Sequence, residues 1–512
     1  MSNQVLMAID QGTTGTTVML LDVEDSRRPV IIGRKTVDFK QHYPKPGLVE
    51  HDLEEIWQSV ARATKGALEM AAFAHKKNFK MSDIAAIGIT NQRETLCTFD
   101  RKTAKPLCKA IVWQDKRSYD ICQKLKDKET FVRSKTGLVL DPYFSGTKMT
   151  WLMEQGGEVA KAIQDGTALF GTIDTYLLYR MTQMESFATE ASNASRTLCF
   201  NSQQGAFDVE LAKIFGLPHL DCFAQVKDSA GFFGKTKGLS FLPDGIPITG
   251  ILGDQQAALA GQTCFEEGDA KCTYGTGAFM LRNIGENFSL SDCNLLTTVA
   301  WQLNGKKTYA YEGSAFIAGA AVQFMRDQLG FLSDAKESQE LASEVLAAPE
   351  VYFVPALAGL GAPYWDPLAK GAFLGLTRGT TKNQMVRAGL EGIGFIVGDL
   401  FNAMAKDTSS SASLRVDGGA AANDLLMQFQ SDILDIVVDR PKIIETTALG
   451  AALFAGLGVG MYSSIEDLKG MREVEQLFKP ATGDIATSKR KENLSGWQRA
   501  VKAARVFHGH HD

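Results

Sequence analysis

The chain has no surplus of positive charge to offer a polyanion: 54 Lys and Arg stand against 59 Asp and Glu, for a formal net charge of -5. Nucleic-acid binders neutralise phosphates with clustered Lys and Arg, so that class is set aside. No Cys-x-x-Cys pair occurs among the eight cysteines, Cys97, Cys108, Cys122, Cys199, Cys222, Cys264, Cys272 and Cys293. Scattered through a long chain, they read as reduced core thiols. There is no G-x-x-x-x-G-K-[ST] run, which excludes a Walker-type nucleotide loop. The start, Met1 to Val5, lacks a basic region, and Asp10 soon interrupts the apolar stretch, so a secretory leader is not expected and cytoplasm is the default. The longest apolar run, 448–461, is too short to span a membrane, and its Gly and Ala suit a close-packed internal helix. The seven histidines are dispersed, and His508, His510 and His511 sit in a terminal tail that reads as solvated rather than metal-binding.

What is present is ordinary globular material. Hydrophobic residues make up 45% of 512 residues, enough for sizeable cores and two or more domains. The apolar strand 5–9 runs into Asp10-Gln11-Gly12-Thr13-Thr14-Gly15 and a second apolar stretch at 18–21, which predicts a hairpin. The pattern returns near the middle: 270–273, then Tyr274-Gly275-Thr276-Gly277, then 278–281. A third glycine turn, Asp417-Gly418-Gly419, ends the strand 414–416. Two related domains, each opening with a hairpin and facing a common cleft, would account for this. Residues 53–74 carry apolar side chains at helical spacing (Ile56, Val60, Ala63, Ala67, Met70), and 385–404 does the same despite Gly389, Gly392 and Gly394. Strands are expected at 84–89 and 110–113, a solvated Ser-rich loop at 408–413, and a domain boundary near 250–265. Strands alternating with helices imply mixed α/β layers.

Chemistry is expected at the turns. A strand ending in Asp10 and running into Gly-Thr-Thr-Gly turns backbone N–H groups and two hydroxyls toward one point, which suits phosphate oxygens. The Asp10 carboxylate would suit Mg²⁺, directly or through water. The plain alternative is a hairpin whose Asp and Thr side chains satisfy turn amides. Asn91-Gln92-Arg93-Glu94 follows an apolar strand and offers both donors and an acceptor, as a polyol requires. A surface salt-bridge turn is the competing reading. Gly253-Asp254-Gln255-Gln256 follows another apolar segment, and Asp254 is placed to accept a proton from an attacking hydroxyl or to be the N-cap of a helix over 255–259, two roles that do not exclude one another. Trp113, Tyr143 and Phe279 would cover the carbon faces of a polyol, or else pack in a core.

In this order, Asp10 to Thr14, Tyr43-Pro44-Lys45-Pro46-Gly47 with Val49-Glu50-His51-Asp52, Asn91 to Glu94, Asp141-Pro142-Tyr143-Phe144-Ser145-Gly146, Gly253 to Gln256, Tyr274 to Gly277 and Gly361 to Pro367 resemble the FGGY carbohydrate kinases over nearly the whole chain. The Asn91–Glu94 and Asp141–Gly146 segments point to the members that phosphorylate glycerol. The resemblance implies an α/β, two-lobed ribonuclease H-like (actin-like ATPase) fold with a central cleft. Residues 1–255 would form the lobe with the glycerol site and first phosphate turn, and 256–512 the lobe with the nucleotide site and C-terminal helices. It implies glycerol on Arg93, Glu94, Tyr143, Asp254 and Gln255, with Trp113 and Phe279 against its carbons. ATP phosphates would meet Thr13, Thr14, Gly15 and Thr276, with Asp10 beside Mg²⁺, while Gly319, Gln323, Gly419 and Asn423 match nucleotide-binding positions. In-line transfer with Asp254 as base would yield sn-glycerol 3-phosphate, in a homo-dimer or tetramer with no membrane span. The alternatives are a family member acting on another polyol or ketose, or an actin-like ATPase with no small acceptor.

Three departures stand out. Where the family often has Ser-Ser-Arg, this chain has Gly15-Thr16-Thr17, so an arginine near the phosphates is missing. The region 234–245 lacks the glycine-rich loop that some members use for inhibition by fructose 1,6-bisphosphate. No histidine lies around 231–234, where other members are phosphorylated for activation.

Overall fold

The sheets are built around strands that are apolar on both faces. A computed structural model describes residues 4–24, 28–74, 79–345, 350–366, 368–408 and 412–507. Pro367, positions 409–411 of the Ser-rich stretch and the terminal histidines lie outside them. In the strand Val5–Gln11, residues Leu6, Met7, Ala8 and Ile9 are all buried. Successive side chains point to opposite faces. Met7 and Ile9 therefore join Ile56, Val60 and Ala63 of the helix Leu53–Ala74 in one core. Leu6 and Ala8 join Ala448, Ala451, Ala452 and Ala455 of the helix Thr446–Gly458 in another. A strand covered on both sides reads as a continuous apolar run.

The first sheet has six strands in the order Ala230–Lys235, Pro247–Gly253, Ile84–Asn91, Val5–Gln11, Gly15–Asp22 and Val30–Asp38. The second has seven, Leu296–Leu303, Lys306–Ala315, Ala278–Asn283, Ala270–Tyr274, Ser413–Asp417, Val437–Pro441 and Val474–Phe478. Each opens with an antiparallel hairpin, Val5–Gln11 with Gly15–Asp22 and Ala270–Tyr274 with Ala278–Asn283. In each, the first hairpin strand pairs in parallel with a later strand, which pairs in parallel with the next. An antiparallel strand then closes that edge. The hairpins predicted from the glycine turns thus head two sheets of one repeated design. The 110–113 strand is shorter than expected, Ala110–Ile111.

Most of the apolar run 448–461 forms the helix Thr446–Gly458, which falls between the last two strands of the second sheet in sequence yet lies on the first sheet. Its small residues permit close approach. A Cβ on Gly88 would sit 2.1 Å from the Ala451 carbonyl oxygen, and one on Gly450 1.9 Å from that of Ala257. The helix expected at 385–404 runs Lys382–Asp407, extended at its start by a capping box between Thr381 and Gln384. Among the described residues it is the one helix long and apolar enough to cross a membrane, and 83% of its most apolar window is buried in protein. Six of the eight cysteines are buried, two are partly so, and none is paired.

Candidate functional site

Two strand ends converge on the body of a third strand. The strand Ile84–Asn91 ends at Gln92-Arg93-Glu94, the strand Pro247–Gly253 ends at Asp254, and Glu312 projects from Lys306–Ala315 of the second sheet. Arg93 is 3% exposed and Glu94 1%, which excludes the surface salt-bridge turn. Glu94 adopts a left-handed φ of 59°, held by the Ser145 hydroxyl donating to its carbonyl at 2.8 Å. Strain of that kind concentrates at functional sites.

The charges interlock. Arg93 Nε lies 3.1 Å from Asp254 Oδ1. Its Nη1 donates to Glu312 Oε2 and to Gln256 Oε1 at 3.2 Å, and its Nη2 donates to Glu312 Oε1 at 3.0 Å and Tyr143 Oη at 3.4 Å. Arg196 Nε donates to Glu94 Oε1 at 2.6 Å and its Nη2 to Glu312 Oε1 at 2.9 Å. Burial pushes the Glu312 carboxyl up, but Arg196 and Arg93 outweigh it and hold it at about 2. For Glu94, burial wins over Arg196 and Arg93, and its carboxyl stands above the usual range. Asp254 is likewise raised by burial against the pull of Arg93. It is the first residue of the helix Asp254–Gly261, accepts the Gln255 N–H at 2.7 Å, and keeps 28% of its side chain exposed. The N-cap position falls to Gly253, with no side-chain cap, so the reading of Asp254 as the helix N-cap is not met: it opens the helix as its first residue. The buried Lys271 donates to Gln255 Oε1 at 2.5 Å and Thr273 Oγ1 at 2.9 Å. That bond fixes the Gln255 amide with its NH₂ directed away from Lys271.

Aromatic rings wall the site. Trp113 stands edge-on to Tyr143 at 5.6 Å between centroids and to Phe279 at 6.2 Å. All three are partly exposed rather than sunk in a core. Phe279 belongs to the second sheet, so the Trp113–Phe279 contact, like Arg93–Glu312, joins the two halves of the site.

The two Gly-Thr turns lie beside it. In the first, Gly12 N–H donates to Gly15 carbonyl at 2.9 Å, and Thr13 Oγ1 accepts from Trp113 Nε1 at 2.9 Å, while Thr14 is exposed. Burial pushes the Asp10 carboxyl up to about 7, Asp254 adds to the rise and Arg34 opposes it. Thr17, at the position of the missing arginine, pairs with Thr36 Oγ1 across the strands at 2.8 Å. Among the described residues no group of three or more His, Cys, Asp or Glu could hold a metal. A cation here would therefore rest on Asp10, whose ionisation its charge would favour, and take its other ligands from phosphate and water.

In the second sheet the turn Tyr274–Gly277 carries the start of the helix Gly319–Asp327: Gly319 N–H donates to the Gly275 carbonyl at 2.9 Å and Ala318 N–H to that of Thr276 at 2.8 Å. Gly418 has φ 87°, and a Cβ there would lie 2.6 Å from the Tyr274 carbonyl oxygen, so only glycine lets the two turns touch. Thr276, Gly319 and Gly419 are thereby gathered, with Gln323 exposed one turn along its helix. Asn423 follows the Gly419–Ala422 turn, where its side chain caps the helix Asp424–Leu434 at Leu426 N and donates to Ser338 Oγ at 3.3 Å. Glu312, Arg196 and Lys271, absent from the sequence-based site, complete the network around Arg93, Glu94 and Gln255.

The FGGY family of carbohydrate kinases matches this chain through the model of its N-terminal domain at residues 5–261 and that of its C-terminal domain at 270–459. A glycerol kinase of Bdellovibrio bacteriovorus is 48% identical over 97% of this chain and 98% of its own, and one of Myxococcus xanthus 48% identical over 98% and 99%. A solved structure of Plasmodium falciparum glycerol kinase with ADP superposes with a TM-score of 0.89 at 35% identity, covering 98% of both chains.

Proposed function

This chain belongs to the FGGY family of carbohydrate kinases, and we propose that it transfers the γ-phosphoryl group of ATP to a terminal hydroxyl of glycerol. The observation that carries the reading is the buried Arg93–Glu94 pair with the partly exposed Asp254 beside it, under a wall of three rings. A triol needs a donor and an acceptor for each hydroxyl and an apolar surface for its carbons, and this site supplies both.

In this reading, Arg93 exchanges its long contact to the Tyr143 hydroxyl for a glycerol oxygen, the Gln255 amide donates to another, and Glu94 accepts through Oε2 because Oε1 is taken by Arg196. Tyr143, Trp113 and Phe279 exclude water. Asp254 accepts the proton of the attacking hydroxyl, a role helped by a carboxyl that burial keeps above its ordinary range. Thr13, Thr14, Gly15 and Thr276 donate to the transferring phosphoryl oxygens, and Gly319, Gln323, Gly419 and Asn423 border the rest of the nucleotide. Asp10 would hold Mg²⁺, which when bound draws charge from the phosphate oxygens. Phosphoryl transfer needs little covalent help, so the barrier falls chiefly through alignment.

The test is ADP release with and without glycerol. Release stimulated by glycerol, and far less by xylulose, ribulose or gluconate, is expected. Hydrolysis indifferent to glycerol would overturn the reading.

A further inference from the structure

The segment Val49-Glu50-His51-Asp52 has no part in the chemistry above, yet His51 is fully buried between the two turns that do. The Gln92 Oε1 accepts from the Thr95 hydroxyl at 2.8 Å, which leaves Gln92 Nε2 to donate among Gln11 Oε1 and the Gly12 carbonyl oxygen, each at 3.1 Å, and His51 Nδ1 at 3.3 Å. Gln41 Oε1 faces the other ring nitrogen and can only accept, so Nε2 carries the proton and Nδ1, in the neutral ring, is an acceptor. Nε2 lies 2.6 Å from Gln41 Oε1 and donates to it. That bond in turn fixes Gln41 Nε2 on the carbonyl oxygen of Thr13, at 2.9 Å. The ring edge packs on Phe39, centroids 5.0 Å apart. Burial keeps the imidazole neutral, driving its pKa down to about 3 with His42 adding to the fall. The link from His51 through Gln41 to Thr13 has one permitted polarity and ends on the backbone of the phosphate turn, which Gln92 also reaches directly at the Gly12 carbonyl oxygen, 3.1 Å from its Nε2.

We propose that His51 is a positioning residue for phosphoryl transfer, which sets the backbone of the Thr13 turn through Gln41. The inference rests on the reading of that turn as the phosphate site. A core histidine serving only to fill space would have no polar path ending on Thr13. Gln41 is partly exposed, so removing its amide tests the relay without opening the core.

The experiment is steady-state kinetics of His51→Ala and Gln41→Leu in the full chain, with thermal melts of both. Each is expected to lower kcat/KM for Mg-ATP roughly tenfold, because a misplaced turn loses alignment, while KM for glycerol moves less than about threefold. Gln41→Leu is expected to melt near the parent temperature and decides the matter if His51→Ala does not fold. A folded Gln41→Leu with parental kinetics, or KM for glycerol rising in step with KM for ATP, would overturn the proposal. If the parent enzyme itself fails to phosphorylate glycerol, the functional reading falls, which is a different result from an active parent with an indifferent variant.

Discussion

Arg93 and Glu312, 219 positions apart in the chain, form a two-pronged ion pair between the first sheet and the second with both side chains at most 2% exposed. The guanidinium that reaches glycerol in the proposed mechanism is thus aimed from the opposite half of the molecule. Arg93 and Arg196 share this carboxylate, and each would repel the other without it.

Removing that carboxylate is expected to cost both folding and acceptor binding. Breaking a buried pair by deleting one partner typically costs about 3–5 kcal/mol, because the surviving charge stays buried. Glu312→Ala should lower the stability measured by denaturant unfolding by about that amount. Glu312→Gln keeps the shape, so it should fold better while raising KM for glycerol by at least about tenfold. A parental glycerol KM in folded Glu312→Gln would show that Arg93 is held without it.

Asp254→Asn separates the proton acceptor from the binding site. The amide preserves size but cannot take a proton, so kcat should drop by roughly 10²–10⁴-fold, the range of general-base contributions. Calorimetry should still detect glycerol binding, since Arg93, Glu94 and Gln255 remain. Near-normal turnover at saturating ATP would remove Asp254 from that role.

Gly253→Ala tests how tightly Arg93 is packed. The backbone at Gly253 has an ordinary extended conformation, φ -61° and ψ 151°, so alanine brings no backbone strain. Its Cβ, however, would sit 2.8 Å from Arg93 Cδ and 2.9 Å from Gln256 Oε1. The guanidinium must move. KM for glycerol is expected to rise at least about tenfold with KM for ATP nearly unchanged, since a shift of about 1 Å at a reacting site is enough for such losses.

The parts of this site legible in the sequence are those marked by local backbone signals. Arg93 and Asp254 each follow an apolar strand, and the two turns beside them announce themselves by Gly and Thr. Glu312 carries no such mark: within Lys306–Ala315 it is one polar residue in a mixed strand, and its meaning comes only from a partner in the other sheet. Arg196 and Lys271 are silent for the same reason, being buried cations defined by what they touch. The glycines of the helix Lys382–Asp407 mislead in the opposite direction. They weaken helix propensity, yet a Cβ on Gly392 would sit 2.3 Å from the Phe353 carbonyl oxygen, so close packing requires them.

Asp10 gives a prediction whose sign is set by its environment. Burial and the neighbouring Asp254 lift its carboxyl from an ordinary 3.8 to about 7. A raised carboxyl supports the fold when protonated. That support is whole below about pH 3.8, shrinks as the unfolded chain ionises, and is gone once pH has risen through about 7. Asp10→Asn stays neutral throughout, so without nucleotide the variant should be the more stable at pH 8, on the order of 1 kcal/mol after allowance for partial exposure, with a smaller gap at pH 5. Glu190 and Asp399, also raised, to about 7 and about 6, are common to both proteins and cancel in the difference. Mg-ATP should reverse the order at pH 8, because a cation beside the ionised carboxylate converts its cost into binding energy that asparagine cannot supply. Melting curves at pH 5 and 8, each with and without Mg-ATP, check all four corners; a variant that gains as much from Mg-ATP as the parent would rule out Asp10 as the residue that meets the metal.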